Sequence, residues 1–267
     1  MSKIRDAMNR ARTGANGPET EASAVVGGPE AVPAPEPDPA SQVAPPAQER
    51  GPGGLVPAMS ADTLQYLESI GKQVEVALGP TERRALVFTA PVPEEGVSSV
   101  VSQFAQMLSL RGEKVLLIDG NPRHPSVQAT FDVPGSPGLA EHMTGKADQV
   151  DIIRKTEFAN LSVVAMGSCA DRMQAEAVTE GLGQFVESVA AEYDYVLVDV
   201  DHVGSPFFST ALVGSADGLV LVIRSGQTNR AVANRACETV RQVGGRILGV
   251  VLNRREFPIP DFIYRRL

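Results

Sequence analysis

The sequence contains no tryptophan, two cysteines and few aromatic residues among its 267 residues. Cys169 and Cys237 show no metal-ligand spacing, so two ordinary thiols in a reducing compartment are expected. The chain has no apolar run of about 18 residues and no signal-peptide pattern, which predicts a soluble, cytoplasmic protein. Its net charge of −8 provides no general positive field, so nucleic acid is not an expected partner.

The first 60 residues are unlike the rest of the chain. Residues 1–12 (MSKIRDAMNRAR) place apolar side chains at helical spacing among basic ones, which predicts a short basic amphipathic helix. Two alternatives stay open for it: docking on a membrane surface or partner groove, and a frayed, solvated end. Residues 13–60 are rich in Pro, Ala and Gly and are predicted to form a disordered linker.

From Ala61 onward, apolar segments of strand length alternate with helical patterns. This alternation predicts an α/β domain over residues 61–267, with a parallel sheet flanked by helices on both faces. The predicted strands are 85–89, 114–119, 152–153, 161–166, 195–199, 219–223 and 247–252. In such sheets ligands bind beyond the carboxyl ends of the strands, where Asp119, Asp199, Asn253 and the 91–98 turn should meet.

The turn after the first predicted strand has the layout of a phosphate-binding P-loop: strand, tight turn, and a helix that opens on small hydroxyl residues. It lacks the cation of that motif, because Val97 stands where a P-loop has lysine. Glu94 and Glu95 also bring carboxylates to the turn, which would repel a polyanion. We interpret the turn as a P-loop relic or a repurposed turn; the alternative is triphosphate binding by backbone dipole and magnesium alone.

Three strand-end segments, EEGVSS, LLIDGNPRHP and YDYVLVD, together with the later VVLNR, resemble the cytoplasmic tyrosine kinases of bacterial capsule and exopolysaccharide export. These kinases are P-loop NTPase-like proteins related to the partition and division-site ATPases. The resemblance covers about residues 60–267. It is most specific at residues 116–125, which match the modified Walker A′ motif of that family.

The resemblance implies ATP and Mg²⁺ as cofactors and a role for each matching residue. Asp119 would act as a base or water-orienting group, and Asn253 would contact the adenine ring. Local structural roles remain the alternatives for Asp119, Asp199 and Asn253, and a solvated basic end remains the alternative for Tyr264. The implied set is Gly96, Ser98, Ser99, Asp199 and Asn253 for nucleotide, Ser98, Asp119 and Asp199 for metal, Asp119 for catalysis, and Tyr264 as phosphoacceptor.

The sequence also departs from this family. Besides Val97, Glu94 replaces a loop glycine, Asn121 replaces the second Walker A′ aspartate, and the tyrosine-rich tail is reduced to Tyr264. Because phosphoryl transfer depends on positioning and electrostatics, these losses predict a kinase-like domain that no longer transfers phosphate. The oligomerisation motif of the family is not recognisable, so a homo-oligomer remains only an open alternative.

The predicted function is therefore a regulator of capsule or exopolysaccharide biosynthesis that binds a membrane co-polymerase or export protein. That partner would recruit the cytoplasmic chain to the inner membrane. One alternative is an active, atypical autokinase in which Arg83, Arg84 or Arg123 replaces the lysine. A positioning ATPase that dimerises on ATP is disfavoured, since the Lys-Gly-Gly opening of those ATPases is absent.

Overall fold

The computed structural model describes residues 59–81, 84–168 and 172–254. The predicted helix over 1–12, the linker up to residue 58, Arg83 and Tyr264 lie outside the described residues. The first described helix begins after Ser60, whose side chain accepts a hydrogen bond from the backbone N–H of Thr63 at 3.1 Å. Met59 already packs against the core.

Seven strands form one sheet in the order β3-β4-β2-β5-β1-β6-β7. The strands are β1 (Arg84–Thr89), β2 (Val115–Asp119), β3 (Ile153–Lys155), β4 (Leu161–Val164), β5 (Tyr195–Asp199), β6 (Gly218–Arg224) and β7 (Ile247–Asn253). The helices are α1 (Ala61–Leu78), α2 (Val97–Leu110), α3 (Val127–Thr130), α4 (Leu139–Met143), α5 (Gln149–Ile152), α6 (Arg172–Val189), α7 (Thr210–Ser215) and α8 (Arg230–Gln242), with a 3₁₀ turn at Ala190–Glu192.

The predicted fold class is confirmed, with one correction at the edge of the sheet. β3 runs antiparallel to β4, whereas the other pairs are parallel. Its direction follows from the short connection between the two strands, because a parallel pair needs a crossover of about a dozen residues or more. Ile152, which was predicted to begin this strand, instead ends α5.

Both faces of the sheet are covered, as the continuous apolar strands predict. On β1, Ala85 and Val87 belong to a core cluster with α6 and α8, whereas Leu86 and Phe88 belong to a cluster with α1 and α2. In the described part of the chain, no helix combines the length and apolar character needed to cross a membrane.

The strand register brings the predicted acidic residues together. Asp119 pairs with Asp199 across β2 and β5, and Phe88 pairs with Asp199 across β1 and β5. The loop that follows β1 therefore begins beside the ends of β2 and β5. This is the edge at which the sequence placed the ligand site.

Candidate functional site at the carboxyl edge of the sheet

A cleft of about 410 Å³ opens at this edge, between the loop after β1 and the ends of the neighbouring strands. Gly96, Ser98 and Ser99, which the resemblance assigned to nucleotide binding, line it. Asp119 and Asp199 are fully buried. The structure therefore brings the serines to the cleft wall and keeps both carboxyl groups out of solvent.

The loop has a P-loop-like backbone without the side chains of a P-loop. Glu94 has φ 64° and Gly96 has φ 86°, both in the left-handed region that glycine adopts without strain. A glutamate there costs roughly 1 kcal/mol, so this position has a backbone conformation that glycine would adopt more readily. Gly96 is the N-cap of α2 and provides no side-chain cap, and Val97 is the first helical residue. Among the described residues, no side chain caps the first N–H groups of this helix, and its first residues include no lysine or arginine.

Glu95 connects this loop to the ends of β6 and β7. Its side chain is buried, and its carboxylate accepts hydrogen bonds from the backbone N–H of Arg224 and from the Thr228 hydroxyl, the latter at 2.6 Å. Its carbonyl oxygen accepts a hydrogen bond from Asn253 Nδ2 at 2.8 Å. The Glu95 carboxylate is therefore engaged inside the protein, and only Glu94 remains exposed as an acidic group of the loop.

Asn253 has the structural role that the sequence left as an alternative. Besides Glu95, it contacts the backbone N–H of Arg254 through its own Oδ1, at 2.9 Å. A Cβ atom on Gly96 would lie 2.3 Å from Asn253 Nδ2, so the close approach of these two residues requires glycine. A contact between Asn253 and adenine stays a prediction.

Asp119 organises the loop that follows β2. Its carboxylate accepts backbone N–H groups from Asn121 at 3.2 Å, Ser126 at 2.8 Å and Val127 at 3.0 Å. Burial raises the pKa of Asp119 to about 6, although these three N–H donors oppose the rise. The carboxyl group thus stabilises the loop that leads into α3. Its catalytic and metal-binding roles remain predictions.

Asp199 is buried with less hydrogen bonding than Asp119. Neither of its carboxyl oxygens has a hydrogen-bond partner among the described residues. Burial raises its pKa well above 3.8, the charges of Asp119 and Asp201 raise it further, and the nearby Ser98 hydroxyl only partly opposes this. Within residues 59–81, 84–168 and 172–254, no group of three or more His, Cys, Asp or Glu side chains could hold a metal ion.

Two of the arginines considered as substitutes for the lysine, Arg84 and Arg123, contact other side chains in the structure. Arg84 begins β1, at the opposite end of the strand from the loop, and its guanidinium lies 5.2 Å from the centre of the Tyr195 ring. Arg123 Nε lies 3.6 Å from Asp201 Oδ2, and its guanidinium stacks 5.5 Å from the centre of the Phe207 ring. The structure therefore contradicts Arg84 as the replacement and gives Arg123 a local role.

Asp201 is held as an anion beside the cleft. The backbone N–H and ring Nδ1 of His202 each lie 2.8 Å from its Oδ1. Although burial raises the pKa of Asp201, hydrogen bonds from Ser205 and His202 outweigh this effect and hold the pKa below 3.8. The charge of Arg123 is thus balanced by a stable carboxylate.

The sequence interpretation missed two other arginines that line the cleft, Arg224 and Arg254. Arg224 ends β6 and Arg254 directly follows β7, so both stand at the ligand-binding edge. In the described part of the chain neither side chain has an ion-pair partner. A search for cations at the carboxyl ends of all predicted strands would have found them.

The architecture and this loop define a P-loop NTPase-like protein, and comparisons with solved structures agree. The kinase domain of the Escherichia coli tyrosine kinase ETK superposes with a TM-score of 0.67 at 22% identity, covering 74% of this chain and 79% of that one. The BceF tyrosine kinase domain gives a TM-score of 0.63 at 27% identity, covering 71% and 76%. The septum site-determining protein MinD of Pyrococcus horikoshii gives 0.57 at 20% identity, covering 69% and 76%.

Comparisons of sequence find tyrosine-protein kinases among the relatives of this chain, although no family model matches it. The tyrosine-protein kinase CpsD of Streptococcus agalactiae is 28% identical over 193 residues, which cover 72% of this chain and 83% of the relative. The tyrosine-protein kinase YwqD of Bacillus subtilis is 26% identical over 197 residues, covering 74% and 83%. Over about three quarters of its length, the chain is therefore similar to bacterial tyrosine-protein kinases.

A third relative is a longer protein. The succinoglycan biosynthesis transport protein ExoP of Rhizobium meliloti is 25% identical over 182 residues, which cover 67% of this chain but only 23% of ExoP. The homologues together indicate a tyrosine kinase-like domain of capsule or exopolysaccharide biosynthesis.

Proposed function

We propose that this domain no longer transfers phosphate and acts in capsule or exopolysaccharide biosynthesis by binding a membrane export or polymerisation protein. The observation that carries the proposal is Val97, which opens α2 directly after a loop with a P-loop-like backbone. A valine there can shape the loop but cannot neutralise the charge of a triphosphate. Removal of one preorganised charge donor typically costs about 3 kcal/mol of transition-state stabilisation.

The contacts of Asp119 support the same proposal. Its carboxylate oxygens accept three backbone N–H groups, which hold the chain into α3 and need no metal ion. If Mg²⁺ bound here, Ser98, Asp119 and Asp199 would hold it, with both carboxyl groups deprotonated. We derive no step through ATP or Mg²⁺.

A membrane partner is supported by the relatives. In ExoP, a transport protein, the matched region makes up about a quarter of a longer chain. A domain that is joined to a transport protein in one relative can act on such a protein from a separate chain in another organism. We therefore propose that the chain is cytoplasmic and is recruited to the inner membrane by its partner.

The test is a titration of the full chain with fluorescent ATP and Mg²⁺, read by anisotropy, alongside a blot for phosphotyrosine. We expect no saturable binding below millimolar ATP and no tyrosine phosphate. The double change Val97→Lys with Glu94→Gly should restore measurable nucleotide affinity, whereas the matched change Val97→Leu with Glu94→Gly should not. Micromolar binding with tyrosine phosphorylation by the unaltered chain would refute the proposal.

A genetic experiment separates binding from catalysis. In the source bacterium, deletion of the protein should abolish or alter polymer production, whereas Asp119→Asn should leave it near the normal level, provided that the variant accumulates normally. Because Asp119 also holds the loop after β2, a catalytic role would be shown by polymer loss in an Asp119→Asn strain with normal protein abundance together with loss of tyrosine phosphate that the parent forms.

Arg224 and Arg254 favour one second candidate, an active atypical autokinase. Both line the cleft beside the free N–H groups that open α2, so they could supply the missing positive charge. If they do, ATP should bind the unaltered chain, and Arg224→Ala with Arg254→Ala should weaken binding at least tenfold. The control Arg123→Ala should weaken ATP binding less, because that arginine is paired with Asp201.

A further inference from the structure

One face of β7 carries apolar side chains that no described element covers. Val250 and Leu252 are each 47% exposed although they lie in a strand of the sheet. They pair with Leu221 and Ile223 of β6, which belong to or pack against the core cluster beneath α8. Since directly paired residues of parallel strands point to the same face, Val250 and Leu252 lie on the α8 side of the sheet. We call these two side chains the β7 strip.

The chain turns where β7 ends. Arg254 has φ 52°, in the left-handed region, so the extended direction of the strand is broken at this residue. Thirteen residues, 255–267, follow outside the described part of the chain. They contain five large aliphatic or phenylalanine side chains: Phe257, Ile259, Phe262, Ile263 and Leu267.

The length of this segment fits the strip. The seven residues of β7 span roughly 23 Å. An extended chain of thirteen residues reaches about 43 Å, so it can turn at Arg254 and run back along the whole strand. Pro258 and Pro260 have no N–H to donate, which disfavours a regular eighth strand on the open edge. The fit is therefore to the face of β7 and depends on side-chain packing.

We propose that residues 255–267 fold back within the same chain and cover the β7 strip with their apolar side chains. The covalent connection supplies this segment at an effective concentration in the millimolar range, which favours it over a second copy of the chain. The inference does not rest on the proposed function, since it involves neither Val97 nor the aspartates.

The experiment is limited proteolysis of the full chain with chymotrypsin, followed by mass spectrometry. This protease cuts after Phe262 and Tyr264, whereas the bond after Phe257 is resistant because Pro258 follows it. We expect Val250→Ser with Leu252→Ser to be cut in the 255–267 segment at least about fivefold faster than the parent, as loss of about 1 kcal/mol of docking energy would give. The control is Val76→Ser on α1, an 84% exposed valine outside the strip, which should be cut at the parent rate.

The reciprocal measurement is hydrogen exchange of β7. Phe262→Ser with Ile263→Ser should increase exchange in residues 247–253 and leave exchange in α1 unchanged. Equal cleavage rates in the strip variant and the parent would overturn the proposal. Protection that rises with protein concentration, together with a dimer mass by light scattering, would also overturn it by identifying a second copy as the occupant.

Discussion

The carboxyl group of Asp199 lies at the last residue of β5, in the middle of the sheet, and among the described residues neither oxygen makes a hydrogen bond, although the Ser98 hydroxyl is nearby. In the unfolded chain this group loses its proton near the ordinary pKa of 3.8, whereas burial keeps the proton on it to higher pH in the folded protein. The unfolded state therefore binds fewer protons above about pH 4, and folding stability falls as the pH rises from there to the folded pKa.

This fall in folding stability with rising pH leads to a prediction for Asp199→Asn in metal-free buffer. The variant should match the parent near pH 4 and become progressively more stable than the parent as the pH rises toward 8. Urea unfolding at several pH values measures the difference. Asp151→Asn, at an exposed position on α5, serves as the control and should show no such trend. A destabilised Asp199→Asn at pH 8 would mean that the ionised carboxylate has a partner in solution.

At the scale of elements, Glu95 connects the loop after β1 with β6 and β7. Loss of its carboxylate leaves the Arg224 N–H and the Thr228 hydroxyl without their acceptor. Glu95→Ala should therefore lower the free energy of unfolding by about 2 kcal/mol. Chemical denaturation measures this change.

Its neighbour provides the matched control. Glu94 is exposed, and Glu94→Ala keeps a side chain in the same left-handed conformation, so it should change stability by less than about 0.5 kcal/mol. Glu95→Gln should recover part of the loss, since an amide oxygen can still accept one of these bonds. Equal effects of the two alanine changes would show that the Glu95 contacts do not persist in solution.

Most elements could be predicted from the sequence because their signals are local. Four-to-seven-residue apolar runs predicted β1, β2, β5, β6 and β7 to within about a residue at each end. α3 and α5 were missed, because four-residue helices are too short to show a period. The direction of β3 depends on a connection length that only correct strand bounds reveal.

The site was only partly predictable. Strand ends placed Asp119, Asp199 and the serines at one edge, as found. The partners of Glu95 lie 129 and 133 residues further along the chain, and nothing local in the sequence marks them. Arg224 and Arg254 differ, because their places at the ends of two predicted strands were visible in the sequence, although no motif marks them.

At the scale of the whole molecule, the proposed function makes a prediction about assembly. If ATP does not bind, the mass of the chain in solution should be the same with and without millimolar Mg²⁺–ATP, whatever that mass is. Size-exclusion chromatography with light scattering measures it. A nucleotide-dependent doubling of the mass would instead indicate an ATPase of the positioning type, which the proposal excludes.

The left-handed backbone at Glu94 has a consequence for redesign of the loop. Residue 94 already adopts a conformation that glycine takes without strain, so Glu94→Gly asks for no new backbone conformation there. Whether a redesigned loop binds nucleotide would then depend on the side chains placed on it and not on the path of the chain.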